Sequence, residues 1–214
     1  MATKRINLSQ HTLDINPRKC DLSQFDFSEI EDYVLELTGT RDYQYEAIRN
    51  IMVYLWGGKY STIVDLAEEN YEKKESIQQR FQSKEHYLNM LPLRDELSGV
   101  CHLATGTGKS YVIIAIAHLS ILLGKVKRVL VLGPSSTVIE EGLTDKFREY
   151  MYGEIGMALR EKLPEKYRNI HVNLLNCNDP IEDSSIVIEN INAIWGKENN
   201  SIGDTLFKGV DEVL

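Results

Sequence analysis

Residues 104–110 of the chain read ATGTGKS, three hydroxyl side chains, two glycines and a lysine, with apolar residues on both sides. Such a string can cradle a phosphate. Gly106 and Gly108 let successive backbone N–H groups turn inward around an anion, and a helix that starts here adds its free N–H groups and dipole. Thr105 and Thr107 complete the loop, Lys109 is placed to reach β- and γ-phosphates, and the Ser110 hydroxyl is placed to ligate Mg²⁺. The strict phosphate-loop pattern asks for glycine where this chain has Leu103. A glycine-rich turn with no ligand is the plain alternative, and the flanking strand and helix patterns argue against it.

Those flanking elements follow from the apolar spacing. After Gly99 short apolar runs alternate with helical patterns, as in a parallel sheet with crossover helices. GVCHL, KRVLVLGP, NIHVNLLN and SSIVIEN read as strands, and SYVIIAIAHLSILLG and STVIEEGLTDKFREY as helices. Upstream, SEIEDYVLEL reads as a helix with Ser28 as N-cap and Glu31 completing a capping box, ended by Gly39. RDYQYEAIRNIMVYLW reads as a second, amphipathic helix stopped by Gly57-Gly58. Residues 61–96 are highly charged with a sparse apolar stripe, which reads as a solvated helical insertion, with a partner-binding arm as the alternative.

Composition narrows the class. The 214 residues carry 24 Lys+Arg against 32 Asp+Glu, a net charge of −8, which argues against a surface devoted to nucleic acid but leaves room for a local basic strip. Cys20, Cys101 and Cys177 form no CxxC pair, so neither a disulfide framework nor a zinc site is indicated, in keeping with a reducing compartment. The first ten residues hold no apolar signal core. The longest apolar run, 111–123, is broken by His118 and Ser120 and is too short to span a bilayer. A cytoplasmic protein with no membrane partner is expected.

Several motifs in order resemble a known family, the superfamily 2 DEAD/DEAH-type helicases and translocases, in the restriction-type branch that includes the motor subunit of type III restriction enzymes. LATGTGKS resembles that family's motif I, which tolerates a bulky apolar residue at the Leu103 position. RDYQYEAI resembles its Q-type motif, RVLVLGPSSTVIEEGLTDKF its motif Ia, and SIVIENINAI the segment that follows. The resemblance spans roughly residues 40–195. It implies an α/β fold, the three-layer P-loop (RecA-like) first motor lobe with a mainly parallel sheet. The chain then divides into an N-terminal helical extension, 1–39, and an incomplete first motor lobe, 40–214, with the helical insertion at about 61–96.

The same resemblance implies ATP and Mg²⁺ as cofactors, with Arg41 and Gln44 at the adenine and Thr105, Gly106, Thr107, Gly108, Lys109 and Ser110 at the phosphates and metal. A carboxamide such as that of Gln44 can meet the donor and acceptor of an adenine edge together. Pro134, Ser135, Ser136 and Asn190 fall where the family grips a nucleic-acid strand. Hydroxyls and backbone N–H groups there can hold phosphates without reading bases. DNA ranks ahead of RNA as the partner, with a modification methyltransferase subunit as a further one.

In this family hydrolysis depends on motif II, Asp-Glu-x-His or a close relative after a buried strand. The nearest string is FKGVDEVL, where Asp211-Glu212 follows Lys208-Gly209 and the third residue after Asp211 is Leu214. The chain is therefore expected to be an N-terminal part of an ATP-dependent motor, able to bind nucleotide but without catalytic residues of its own for hydrolysis. In the intact protein, ATP hydrolysis coupled to DNA translocation, and to cleavage where a nuclease is attached, is expected. A stand-alone P-loop kinase would need an Arg-rich lid that is not evident and would leave GPSS without a purpose. A nucleotide-gated interaction module would use residues 61–96 as its contact surface.

Overall fold

The computed structural model of the chain describes residues 12–133, 137–175 and 179–190. They fall into two compact units. One takes the residues up to Phe27 together with Arg49–Ala104, and the other takes Ser28–Ile48 together with the residues from Thr105 onward. No described helix is long and apolar enough to cross a membrane.

Among the described residues the second unit carries a three-stranded parallel sheet built from β1 (Arg128–Gly133), β2 (Asn173–Leu175) and β3 (Ser185–Asn190), in the order β1-β3-β2. β3 lies in the middle, in register with β1 from Arg128 opposite Ser185 to Gly133 opposite Asn190. That position explains its sequence. A strand paired on both sides and covered on both faces loses the polar alternation, and Ile186, Val187 and Ile188 are all buried. β1 alternates instead, with Val131 buried and Leu130 and Leu132 at 42% and 46% exposed.

Around the sheet stand α1 (Glu31–Thr38), α6 (Lys109–Leu122), α7 (Thr137–Tyr152), α8 (Glu154–Glu161) and α9 (Glu165–Arg168). α6 packs on β1 and β3, and α7 packs on β3. Nearly every position of α6 from Val112 onward is buried, including Ala115, Ala117, Leu119 and Ile121, so it is a core helix and not an amphipathic one. Gly124 ends it at φ +65°, with its N–H on the Ile121 carbonyl and that of Lys125 on Ser120, a C-terminal cap of the kind glycine permits. Within this helix His118 is buried, its Nδ1 3.3 Å from the hydroxyl of Tyr33 on α1.

Two local expectations are corrected. α1 starts at Glu31 with Ile30 as N-cap and no side-chain cap, while Ser28 lies in a 3-10 turn, Phe27–Glu29. Phe27 and Ile30 are both buried, and burying both bends the chain before the helix can begin. Residues 99–103, expected as a strand, carry none, and Val100 is 94% exposed. A strand exists only through a partner for its backbone groups, and no described segment pairs with these residues.

The helical unit contains α3 (Ile63–Lys73), α4 (Glu75–Arg80) and α5 (Lys84–Asn89). The helix α2 (Asp42–Trp56) contributes residues 49–56 to this unit and residues 42–48 to the other. Thr62 and Asp65 close a capping box at the start of α3. The apolar residues of the charged stretch 61–96 are packed, in one cluster shared with Tyr54 and Tyr60 and in a second of their own. Tyr54, Tyr60, Ile63 and Leu66 form one, and Ala67, Ile77, Tyr87 and Leu88 the other. Asn70, 1% exposed, ties this region to Asp14, accepting from its backbone N–H at 2.7 Å and donating to its carbonyl at 3.0 Å.

Candidate functional site

The loop before α6 has the backbone its glycines suggest. Gly106 stands at φ +80° and Gly108 at φ +74°, both left-handed, and Gly108 is the N-cap of α6 with no side chain occupying the helix's first N–H groups. No acidic residue stands in the first turn of α6. The two glycines differ in what surrounds them. A Cβ on Gly106 would meet no described residue within 4 Å, whereas one on Gly108 would lie 2.5 Å from Gln44 Nε2 and 2.8 Å from Tyr111 Cδ2.

Gln44 reaches this loop from the first turn of α2. It is fully buried, and its Nε2 donates to the Thr107 carbonyl at 2.6 Å and lies 3.5 Å from that of Gly108. Its Oε1 is buried without a hydrogen-bond partner among the described residues. Leaving such an oxygen unpaired costs about 1–3 kcal/mol, so Oε1 has unused capacity to accept a hydrogen bond. Tyr43 reinforces the contact, its hydroxyl donating to the same Thr107 carbonyl at 3.2 Å.

Arg41 is exposed, with its guanidinium carbon 5.7 Å from the centre of the Tyr111 ring. Tyr111 in turn meets Tyr150 of α7 edge to face, at 5.1 Å between ring centres. Burial, with Tyr111 alongside, raises the Tyr150 hydroxyl well above the ordinary tyrosine range, so it stays protonated.

Beside the loop lies a cavity of about 360 Å³. Lys109, Ser110 and Ile113 of α6 line one side, Leu132 and Gly133 at the end of β1 the back, and Leu143 and Lys146 of α7 the other side. Lys109 is exposed and Ser110 half-buried. The fold therefore brings Gln44, Thr107, Gly108, Lys109 and Ser110 into one neighbourhood, with Arg41 beside Tyr111 and Thr105 exposed at the loop's start.

Pro134, Ser135 and Ser136 lie outside the described residues, as do residues 207–214 with Asp211 and Glu212. Asn190 closes β3 opposite Gly133, and its side chain also lies outside them. Lys146 is the lining residue that motif reading overlooked. The signal was Gly142, a glycine inside a helical pattern, one turn before a lysine on the same face.

The loop's glycines, the cavity against Lys109 and Ser110, and the orphaned Gln44 oxygen suit a nucleoside phosphate. The ammonium and the N-terminal N–H groups would face phosphate oxygens, and Oε1 would accept from an amino group of a base. Among the described residues no cluster of His, Cys, Asp or Glu could by itself hold a metal ion. A magnesium ion here would be held by Ser110 and the phosphates.

A family model described as the type III restriction enzyme, res subunit, matches residues 37–208. The chain belongs to that family. No curated protein and no solved structure matches it. The matched span takes in α2, the loop, α6, the sheet and α7 together, so the candidate site lies wholly within it.

Proposed function

We propose that the chain is the nucleotide-binding part of an ATP-dependent DNA helicase or translocase, the motor portion of a type III restriction res subunit. The observation that carries the reading is the pairing of a left-handed glycine loop at the start of a core helix with a buried glutamine that holds its carbonyl and keeps one oxygen unpaired. The family match supports it.

In this reading the backbone N–H groups of residues 107–110 surround the β-phosphate, Lys109 neutralises the β- and γ-oxygens, and Ser110 ligates Mg²⁺. Bound Mg²⁺ would draw charge off the terminal phosphates. Gln44 Oε1 accepts a hydrogen bond from the adenine amino group while its nitrogen holds Thr107, and guanine, with a carbonyl at that position, is disfavoured. Arg41, over the Tyr111 ring, flanks the base. Pro134, Ser135, Ser136 and Asn190 would track the sugar-phosphate backbone of a DNA strand, a contact that does not depend on sequence. Because the 214 residues contain no Asp-Glu-x-His, the chain by itself is expected to hold ATP without turning it over.

Calorimetric titration of the 214-residue chain with ATP and Mg²⁺ tests this. Saturable binding that Lys109→Ala abolishes, and that single-stranded DNA strengthens, is the expected result. Absence of any ATP binding, or binding indifferent to Lys109→Ala, overturns the reading.

A further inference from the structure

Lys146 lines the same cavity as Lys109 and Ser110, from α7 and not from the loop. Among the described residues the remaining lining is apolar or glycine, with no carboxylate in it, although the chain as a whole carries a net charge of −8. Among the described residues neither lysine has an ion-pair partner. Two ammonium groups on one small cavity repel each other unless an anion lies between them.

Gly142, one turn before Lys146 and on the same wall, adds an independent observation. A glycine inside a helix costs about 1 kcal/mol relative to alanine, and a Cβ at Gly142 would meet nothing within 4 Å. Contact with other described residues does not require it. Its effect is to leave the cavity wall open in front of Lys146.

We infer that Lys146 is a second cationic contact for the terminal phosphate of the bound nucleotide, so that α6 and α7 grip the triphosphate together. The inference rests on reading residues 105–110 as the phosphate loop. It makes α7 the element that tells a triphosphate from a diphosphate: Lys109 serves both, whereas Lys146 meets only the γ-phosphate.

The test is the affinity of the 214-residue chain for ATP and for ADP, measured by calorimetry with Mg²⁺, in the wild type and in Lys146→Met, Lys146→Arg, Gly142→Leu and Lys109→Ala. A lost charged contact to phosphate is read as roughly a tenfold change. Lys146→Met should weaken ATP about tenfold and ADP by less than about threefold, with Lys146→Arg close to wild type. Gly142→Leu should weaken ATP while raising resistance to urea, since it removes a helix glycine and fills the cavity. Lys146 is exposed, so its variants should fold, and circular dichroism checks this. Equal losses for ATP and ADP, or none, in Lys146→Met while Lys109→Ala abolishes binding would sink the inference and leave the loop reading standing. A wild type that binds neither nucleotide would sink both.

Discussion

The side-chain nitrogen of Gln44 donates to the carbonyl of Thr107 at 2.6 Å, so a residue in the first turn of α2 holds the centre of the loop that opens α6. The two are 63 positions apart in the chain. The carboxamide has one end on the loop and the other end without a partner among the described residues, which links whatever Oε1 would bind to the shape of the glycine loop.

Replacing Gln44 separates those two ends. Gln44→Glu keeps an oxygen at Oε1 but removes the donor to Thr107, setting an acceptor against a carbonyl in a buried place. A loss of about 1–3 kcal/mol in unfolding free energy is expected by urea titration, with ATP affinity falling alongside. Gln44→Ala should erase any preference for ATP over GTP, which competition binding reads directly. Unchanged selectivity in Gln44→Ala would remove Gln44 from the base site.

The two loop glycines should respond differently to alanine. Both lose the left-handed backbone, which costs about 1–2 kcal/mol. At Gly106 no other described residue is disturbed, while at Gly108 the new methyl would meet Gln44 Nε2 and the Tyr111 ring. Gly108→Ala is therefore expected to lower the thermal midpoint clearly more than Gly106→Ala, and to abolish nucleotide binding with it. Equal shifts in the two midpoints would contradict this packing.

Acid should weaken the sheet unit through His118. Burial pushes its imidazole down from 6.5 to about 3, and the positive charge of Arg160 adds to the shift. The folded chain keeps His118 neutral, whereas the unfolded chain takes up a proton below about 6.5. Its contribution is thus complete above pH 6.5 and is lost as pH falls from there towards 3, with a slope approaching about 1.4 kcal/mol per pH unit. Urea unfolding at pH 7.5, 6 and 5 should show this loss, and His118→Gln should flatten it. A wild-type curve no steeper than the variant's would count against the buried neutral imidazole.

In the helical unit Asn70 joins α3 to the backbone at Asp14. Asn70→Ala leaves that N–H and carbonyl without their partner, and a loss of about 1–3 kcal/mol is expected. Hydrogen exchange at residues 13–15 should accelerate more than exchange at Ile77 or Leu88. Uniform acceleration would mean that the contact is not local.

α6, β1 and β3 were legible because their apolar runs are nearly unbroken, α7 because its apolar residues recur at helical spacing, and the loop because two glycines and a lysine stand just ahead of a helical run. The start of α1 was not: two buried side chains, Phe27 and Ile30, outweighed the capping signal at Ser28. Residues 99–103 have strand composition, but pairing depends on a neighbour that composition does not name. Gln44 could be singled out from its motif, yet which half of its carboxamide is engaged depends on a contact across 63 positions. Lys146 has no motif, and only the folding of α7 beside α6 sets it against Lys109.

The uneven covering of β1 has a practical consequence for handling the protein. Leu130 and Leu132 are two residues apart on one face of an outer strand of the described sheet, and both are nearly half open to water. Such a stripe invites a second molecule to lie along it. The net charge of −8 opposes that approach at long range, and salt screens the opposition. The protein is therefore best concentrated at low ionic strength.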